Sequence, residues 1–141
     1  MAQVTVIKAV EGQSSIVIRV NLVSEGTGEL VNFPILSATD LNPSKPNVTP
    51  SFNLRQLWWG FVWFDVSLFA GTLQPAQLWT CPRDTENHVD FRSFGGILDQ
   101  NVYVNPPSDD SGILTITTNN FILGSQGTLI LDIQKTNKVS G

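Results

Sequence analysis

Four side chains of one short segment are of the types that do chemistry: Cys81, Asp84, Glu86 and His88, in Cys81-Pro82-Arg83-Asp84-Thr85-Glu86-Asn87-His88. A thiol beside an imidazole could form a nucleophile and its base, and the same atoms with two carboxylates could hold a metal. His88 is the one histidine and Cys81 the one cysteine. Their spacing matches no arrangement in which a nucleophile, a base and an orienting group meet. The segment therefore reads as a polar turn carrying a packed cysteine. Ser108-Asp109-Asp110-Ser111 offers oxygen ligands to calcium. It lacks the alternating acidic residues, the glycine and the closing glutamate of an EF-hand loop, and reads as a solvated turn. No glycine-rich phosphate loop, nucleophile elbow or His-Glu-x-x-His is found in the chain, so no enzyme, metal or cofactor is expected.

What remains is recognition by surface. Trp58, Trp59, Trp63, Trp79 and Tyr103 are of the residue types that dominate protein interfaces and that stack on sugars. The stretch Leu57 to Ala70 holds three of the four tryptophans and three of the eight phenylalanines. Read as one strand from Phe61 to Ala70, it puts Val62, Phe64, Val66 and Leu68 on one face and Phe61, Trp63, Asp65, Ser67 and Phe69 on the other. Both faces begin apolar. The second must then be covered by another layer, a long loop or a partner subunit. Gly60, with no side chain to pack, predicts a bulge or a sharp bend. Asp65 and the short length of the run argue against a membrane span.

The elements that must position these residues follow from composition and pattern. A chain of 141 residues fits one domain, residues 1–141, large enough to bury a core without staples. A single cysteine excludes an intrachain disulfide and a cysteine zinc cluster within one chain. Charged residues make up 14% of the chain against a usual share of about 25%, while Ser, Thr, Asn and Gln number 43, so the surface is mainly uncharged and polar. A net charge of −4 with eight scattered Lys and Arg leaves no footprint for nucleic acid. The N-terminus alternates polar and apolar residues without a basic start and apolar core, which predicts synthesis in a cytoplasm.

Along the chain, Gln3 to Val10 and Ser15 to Val23 predict a hairpin, the second strand turning Ile16, Ile18, Val20 and Leu22 to one face. A third strand runs from Leu30 to Leu36, with Pro34 marking an edge or a bulge. The proline-rich run Thr39 to Pro50 is a long connection, and its sequon Asn47-Val48-Thr49 carries little weight without a secretory signal. Strands follow at Phe52 to Trp59, Phe61 to Ala70, Ala76 to Cys81 and His88 to Phe94, the last stopping at Gly95-Gly96. An excursion from Ile97 to Asp110 includes a short strand at Asn101 to Val104. Gly112 to Thr118 and Gly127 to Lys135 close the fold, with Leu114, Ile116, Leu129, Leu131 and Ile133 inward. Residues 136–141 form a frayed tail. Seven to nine short strands and no helical period predict an all-β fold, a single antiparallel β-sandwich that is jelly-roll-like.

Six stretches, taken in order, carry a resemblance. They are Leu57-Trp58-Trp59, the apolar strand through Asp65-Val66-Ser67-Leu68, Trp79, Asp90-Phe91-Arg92-Ser93-Phe94-Gly95-Gly96, Gly112 to Thr118, and Thr128 to Lys135. This order resembles small virion proteins of tailed bacteriophages, in particular capsid decoration (cement) proteins with a β-sandwich. The resemblance covers the C-terminal two thirds; Pro106, Pro107 and Val89 depart from it. It implies a structural protein on the capsid exterior that binds the major capsid protein as a homotrimer, without nucleic acid or membrane. Candidate interface residues are Trp58, Trp59, Phe61, Trp63, Phe69, Arg92 and Phe94. Arg92 can stack between rings or pair with Asp90, Asp99 or a partner carboxylate. The competing expectation is a carbohydrate-binding or adhesin module of a phage fibre or tail.

Overall fold

The computed structural model describes residues 3–11, 15–26, 28–36, 48–49, 52–71, 76–83, 86–98, 113–135 and 138–139. These form an all-β sandwich of two antiparallel sheets. In chain order the strands are β1 (Gln3–Glu11), β2 (Ser15–Val23), β3 (Phe33–Leu36), β4 (Val48–Thr49), β5 (Phe52–Val62), β6 (Asp65–Ala70), β7 (Ala76–Cys81), β8 (Glu86–Asp90), β9 (Ile97–Leu98), β10 (Leu114–Asn119), β11 (Gln126–Lys135) and β12 (Lys138–Val139). One sheet is ordered β1-β2-β11-β5-β8, with β9 also on β5; the other is ordered β3-β10-β6-β7; β12 pairs separately with β4. Asn101 to Val104, Pro106, Pro107 and Asp109-Asp110 lie outside the described residues.

The core is built by alternation. Ile16, Ile18, Val20 and Leu22 of β2 and Leu129, Leu131 and Ile133 of β11 are fully buried, and from the opposite sheet Val66, Leu68, Leu114 and Ile116 meet them. Period-2 patterning fixes which face of each strand turns inward, because a slip of one residue would expose the whole apolar set. Pro34 sits on the edge strand β3, where a missing N–H costs no ladder bond, and the β3–β10 register shifts between Leu114 and Thr115, opposite it.

The aromatic stretch is not one strand. β5 runs through Gly60 to Val62, and after Trp63 and Phe64 the chain re-enters as β6 in the other sheet. The bulge expected at Gly60 lies instead at Arg55, where the β11 register passes from Gln56 to Leu54. The strand expected from His88 to Phe94 also ends early. Asp90 accepts the Arg92 N–H at 2.9 Å, and Arg92–Phe94 forms a single 3₁₀ turn. Side chains that bond nearby backbone compete with a ladder in this way.

Three connections from one sheet to the other gather at one end of the sandwich: β2 to β3, β5 to β6, and β10 to β11. Hydrogen bonds join them. Ser24 donates its N–H to Ser125 O at 2.9 Å, both Glu29 carboxylate oxygens accept the Phe121 N–H at 3.1 Å, and Asn120 Nδ2 donates to Trp63 O at 2.8 Å. Phe64 is fully buried beneath them, its ring 4.8 Å from Phe61 and 4.7 Å from Phe121.

The loop after β7 is tied to the same end by Asp65. Its carboxylate accepts Arg83 N–H at 2.7 Å, Arg83 Nη2 at 2.8 Å and Asn119 Nδ2 at 3.3 Å. The Arg83 guanidinium is the main cause that holds the Asp65 carboxyl below its ordinary value of 3.8. A carboxyl with a depressed folded-state pKa stabilises fully above the unfolded value, and that stabilisation is lost as pH falls through the folded value. Asp65→Asn is expected to cost about 1–2 kcal/mol at pH 7, the partly exposed ion pair itself adding little. The cost should shrink as pH drops below 3.8, because the wild-type carboxyl then also loses its charge. Urea midpoints of both proteins at pH 7 and pH 3 check this.

Candidate interaction surface

The outer face of the six-stranded sheet carries a cross-strand row in which Arg19 lies opposite Ile130, Ile130 opposite Trp58, and Trp58 opposite His88. Trp58 and His88 stack with ring centroids 4.6 Å apart and planes within 5°. Opposed side chains on a sheet face stand close enough for such pairs. A polar line supports the stack: His88 Nε2 lies 3.0 Å from Gln56 Oε1, and Gln56 Nε2 donates to Asp132 Oδ2 at 3.1 Å.

Two residues further along β5, Gly60 has no side chain to fill the sheet face. Trp58, His88, Asn87, Thr128 and Ile130 surround the resulting open depression of about 440 Å³. Its walls are mostly hydrocarbon and ring, which is the composition of a recognition pocket.

At the sheet's end, just past the last residue of β5, stands Trp63. Its backbone has φ 77°, the left-handed region that a bulky residue enters only under strain, at a cost on the order of 1–3 kcal/mol. The residue nevertheless remains 48% exposed. It lies so close to Gly124 that a Cβ there would sit 2.7 Å from Trp63 Cζ3. Gly124 itself has φ 94° and follows Ile122 and Leu123, which are 50% and 70% exposed. The Ser125 N–H closes that turn onto Ile122 O at 2.9 Å.

The candidate interface residues thus occupy different places. Trp58 lies on the six-stranded sheet's outer face, and Trp63 lies just past the end of β5, in the crossing to the other sheet. Trp59 and Phe61 point inward and are core residues, 6% and 2% exposed. Phe69 is half-buried on β6, in the other sheet. Arg92 grips Asp90 through Nε at 3.0 Å and Nη2 at 2.8 Å, which holds the exposed Asp90 carboxyl down to about 2. The Phe94 side chain lies outside the described residues. Ile122, Leu123 and the Gly60 depression do not stand out in the sequence; the one signal is the apolar run Phe121-Ile122-Leu123 between β10 and β11.

Cys81 and His88 are not brought together. Cys81 faces the core from β7, where burial pushes its thiol up to about 12, and His88 faces outward from the other sheet. Asp84 lies outside the described residues, and among those described no three His, Cys, Asp or Glu side chains gather as a metal site. Comparison with protein-family models, curated proteins and solved structures finds no match.

Proposed function

We propose that the chain is a structural virion protein of the capsid decoration type, made in the host cytoplasm, which binds the outer shell of a phage head as an oligomer. The observation that carries this reading is the grouping of Val31, Val62, Trp63, Ile122 and Leu123, all exposed, on the loop end of a rigid, charge-poor sandwich. Apolar side chains grouped on a surface in this way mark contact sites. Strand order adds support for a jelly roll. Counting β2, β3, β5, β6, β7, β8, β10 and β11 as one to eight, the sheets run 1-8-3-6 and 2-7-4-5, the nested order of two Greek keys, an architecture used by viral capsid and lectin domains. Fold alone does not choose between those two.

The surface favours protein over sugar. A sugar platform needs an open aromatic face, yet one face of Trp58 is covered by His88, Trp59 is buried, and Trp63 stands against Gly124. A decoration protein should raise the temperature at which heads release their DNA when it is added back to undecorated heads. An unchanged release temperature, together with glycan-array binding lost in Trp58→Ala, would move the adhesin reading to the front.

A further inference from the structure

We infer that the chain pairs with a second copy of itself through β1, the two strands running antiparallel about a two-fold axis at Val6, so that the larger sheets of both copies join edge to edge. Among the described residues no strand pairs with the outer side of β1. In an antiparallel edge strand every second residue turns its N–H and C=O to that side. Such a row is a template for another strand, and folds blunt it with short length, proline, charge or irregularity. The other edges are blunted. β3 has four residues and contains Pro34. β7 stops before Pro82, and its register on β6 shifts between Leu68 and Phe69. β8 has five residues, among them Glu86, His88 and Asp90.

β1 lacks these devices over most of its length. It is nine residues long and pairs with β2 in unbroken register from Gln3 to Lys8, the shift coming after Lys8. That regular stretch spans about 20 Å at strand rise. It has no proline, and its one charge is Lys8 at the end. Both faces are apolar and open. Val6 lies opposite Val20 and shares its inward side; Val20 is fully buried, yet Val6 is 36% exposed, so the smaller sheet does not reach over β1. Ile7, opposite Arg19 on the outer face, is 44% exposed. A layer laid on one face would cover one of these residues and leave the other. A strand added in the plane of the sheet flanks both.

The edge requires an extended, nearly uncharged strand, and β1 of a second copy is one already held in that shape. A free peptide would lose about 1–2 kcal/mol of backbone entropy for each residue ordered. With the axis at Val6, Val6 faces Val6 on the inner side, Thr5 faces Ile7 on the outer side, and Val4 faces Lys8, so no like charges oppose each other. The regular stretch then makes about four to six backbone hydrogen bonds. It buries on the order of 500 Å² per copy, at the low end of specific contacts, so dimerisation in the micromolar range is expected. Pairing uses the edge of both copies and closes the assembly at two. This differs from the homotrimer that the resemblance implied, and it does not rest on the capsid reading.

Sedimentation velocity of the full chain from micromolar to millimolar concentration, with Val6→Lys and Val6→Glu beside wild type, tests it. Wild type should pass from monomer to dimer. Each variant alone puts like charges in direct opposition and removes two valines from the contact, which should raise the dissociation constant about tenfold or more. An equimolar mixture of the two variants should associate again, because position 6 then carries opposite charges in the two copies; a variant that merely failed to fold would not be rescued. Amide hydrogen exchange supplies the second reading, and alternate amides from Gln3 to Lys8 should gain protection as wild-type concentration rises. A wild-type monomer at millimolar concentration, a trimer or an open-ended polymer, a dimer that survives both substitutions, or one that forms without change in β1 exchange would overturn the pairing.

Discussion

Phe64→Ala is expected to be the most damaging single truncation in the protein, lowering the unfolding free energy by about 3–5 kcal/mol. The residue is fully buried, and its ring sits between Phe61 at 4.8 Å and Phe121 at 4.7 Å, tilted to both at 51° and 54°. These are favourable aromatic geometries, contributing beyond area burial. Position sharpens the effect. Phe64 is the second residue of the crossing from β5 to β6, and Phe121 lies in the crossing from β10 to β11. Removing the ring therefore opens a cavity beneath two connections at once, and neither can collapse without moving the strands it joins. Guanidinium unfolding followed by far-UV circular dichroism measures the loss. A change under 1 kcal/mol would mean that the three rings do not form the packing centre of this end.

Gly127→Ala is expected to cost about 1–3 kcal/mol or more through overpacking, although it adds only one methyl group. A Cβ at this position would lie 2.5 Å from Gly60 O, 2.5 Å from Phe61 Cδ1 and 2.9 Å from Phe61 Cα. Two of those atoms are backbone or its immediate root, so a rotamer change cannot relieve the clash. Gly127 pairs with Phe61 on one side and Leu22 on the other, so β11 would have to lift from β5 in the middle of the larger sheet. Thermal melting reads the effect, and a variant as stable as wild type would show that β5 and β11 are not held in this register.

Much of the sandwich is legible in the chain where apolar and polar residues alternate. Ile16 to Leu22 and Leu129 to Ile133 announce strands and their inward faces, because period-2 patterning and a half-buried sheet are the same statement. Pro34 announces an edge for a similarly local reason. The stretch from Leu57 to Ala70 is different. Apolar residues at nearly every position leave no period to read, so nothing in the sequence tells that Trp59 and Phe61 turn inward, or that the chain changes sheets at Trp63. Positive φ at a tryptophan has no sequence signal, since the groups that meet Trp63 at that turn, Asn120 and Gly124, lie far along the chain.

Chemistry-bearing residues behave likewise. Cys81 and His88 are near in sequence, yet the loop between β7 and β8 carries the chain from one sheet to the other and sends them to opposite sides. The Asp90–Arg92 pair was readable as a pairing, but not as a local clasp that ends a strand. Trp58 was readable as a surface candidate; its stack on His88 depends on a strand register that only the folded sheet defines.

The central claim is that this chain acts by binding a protein shell. The most direct measurement is co-sedimentation of the purified chain with DNA-emptied, undecorated phage heads, over a range of chain concentrations. The account predicts saturable pelleting at a fixed ratio to capsid subunits, little changed by salt, as a charge-poor apolar contact should be. Absence of pelleting at any concentration, or pelleting proportional to concentration without saturation, would contradict it.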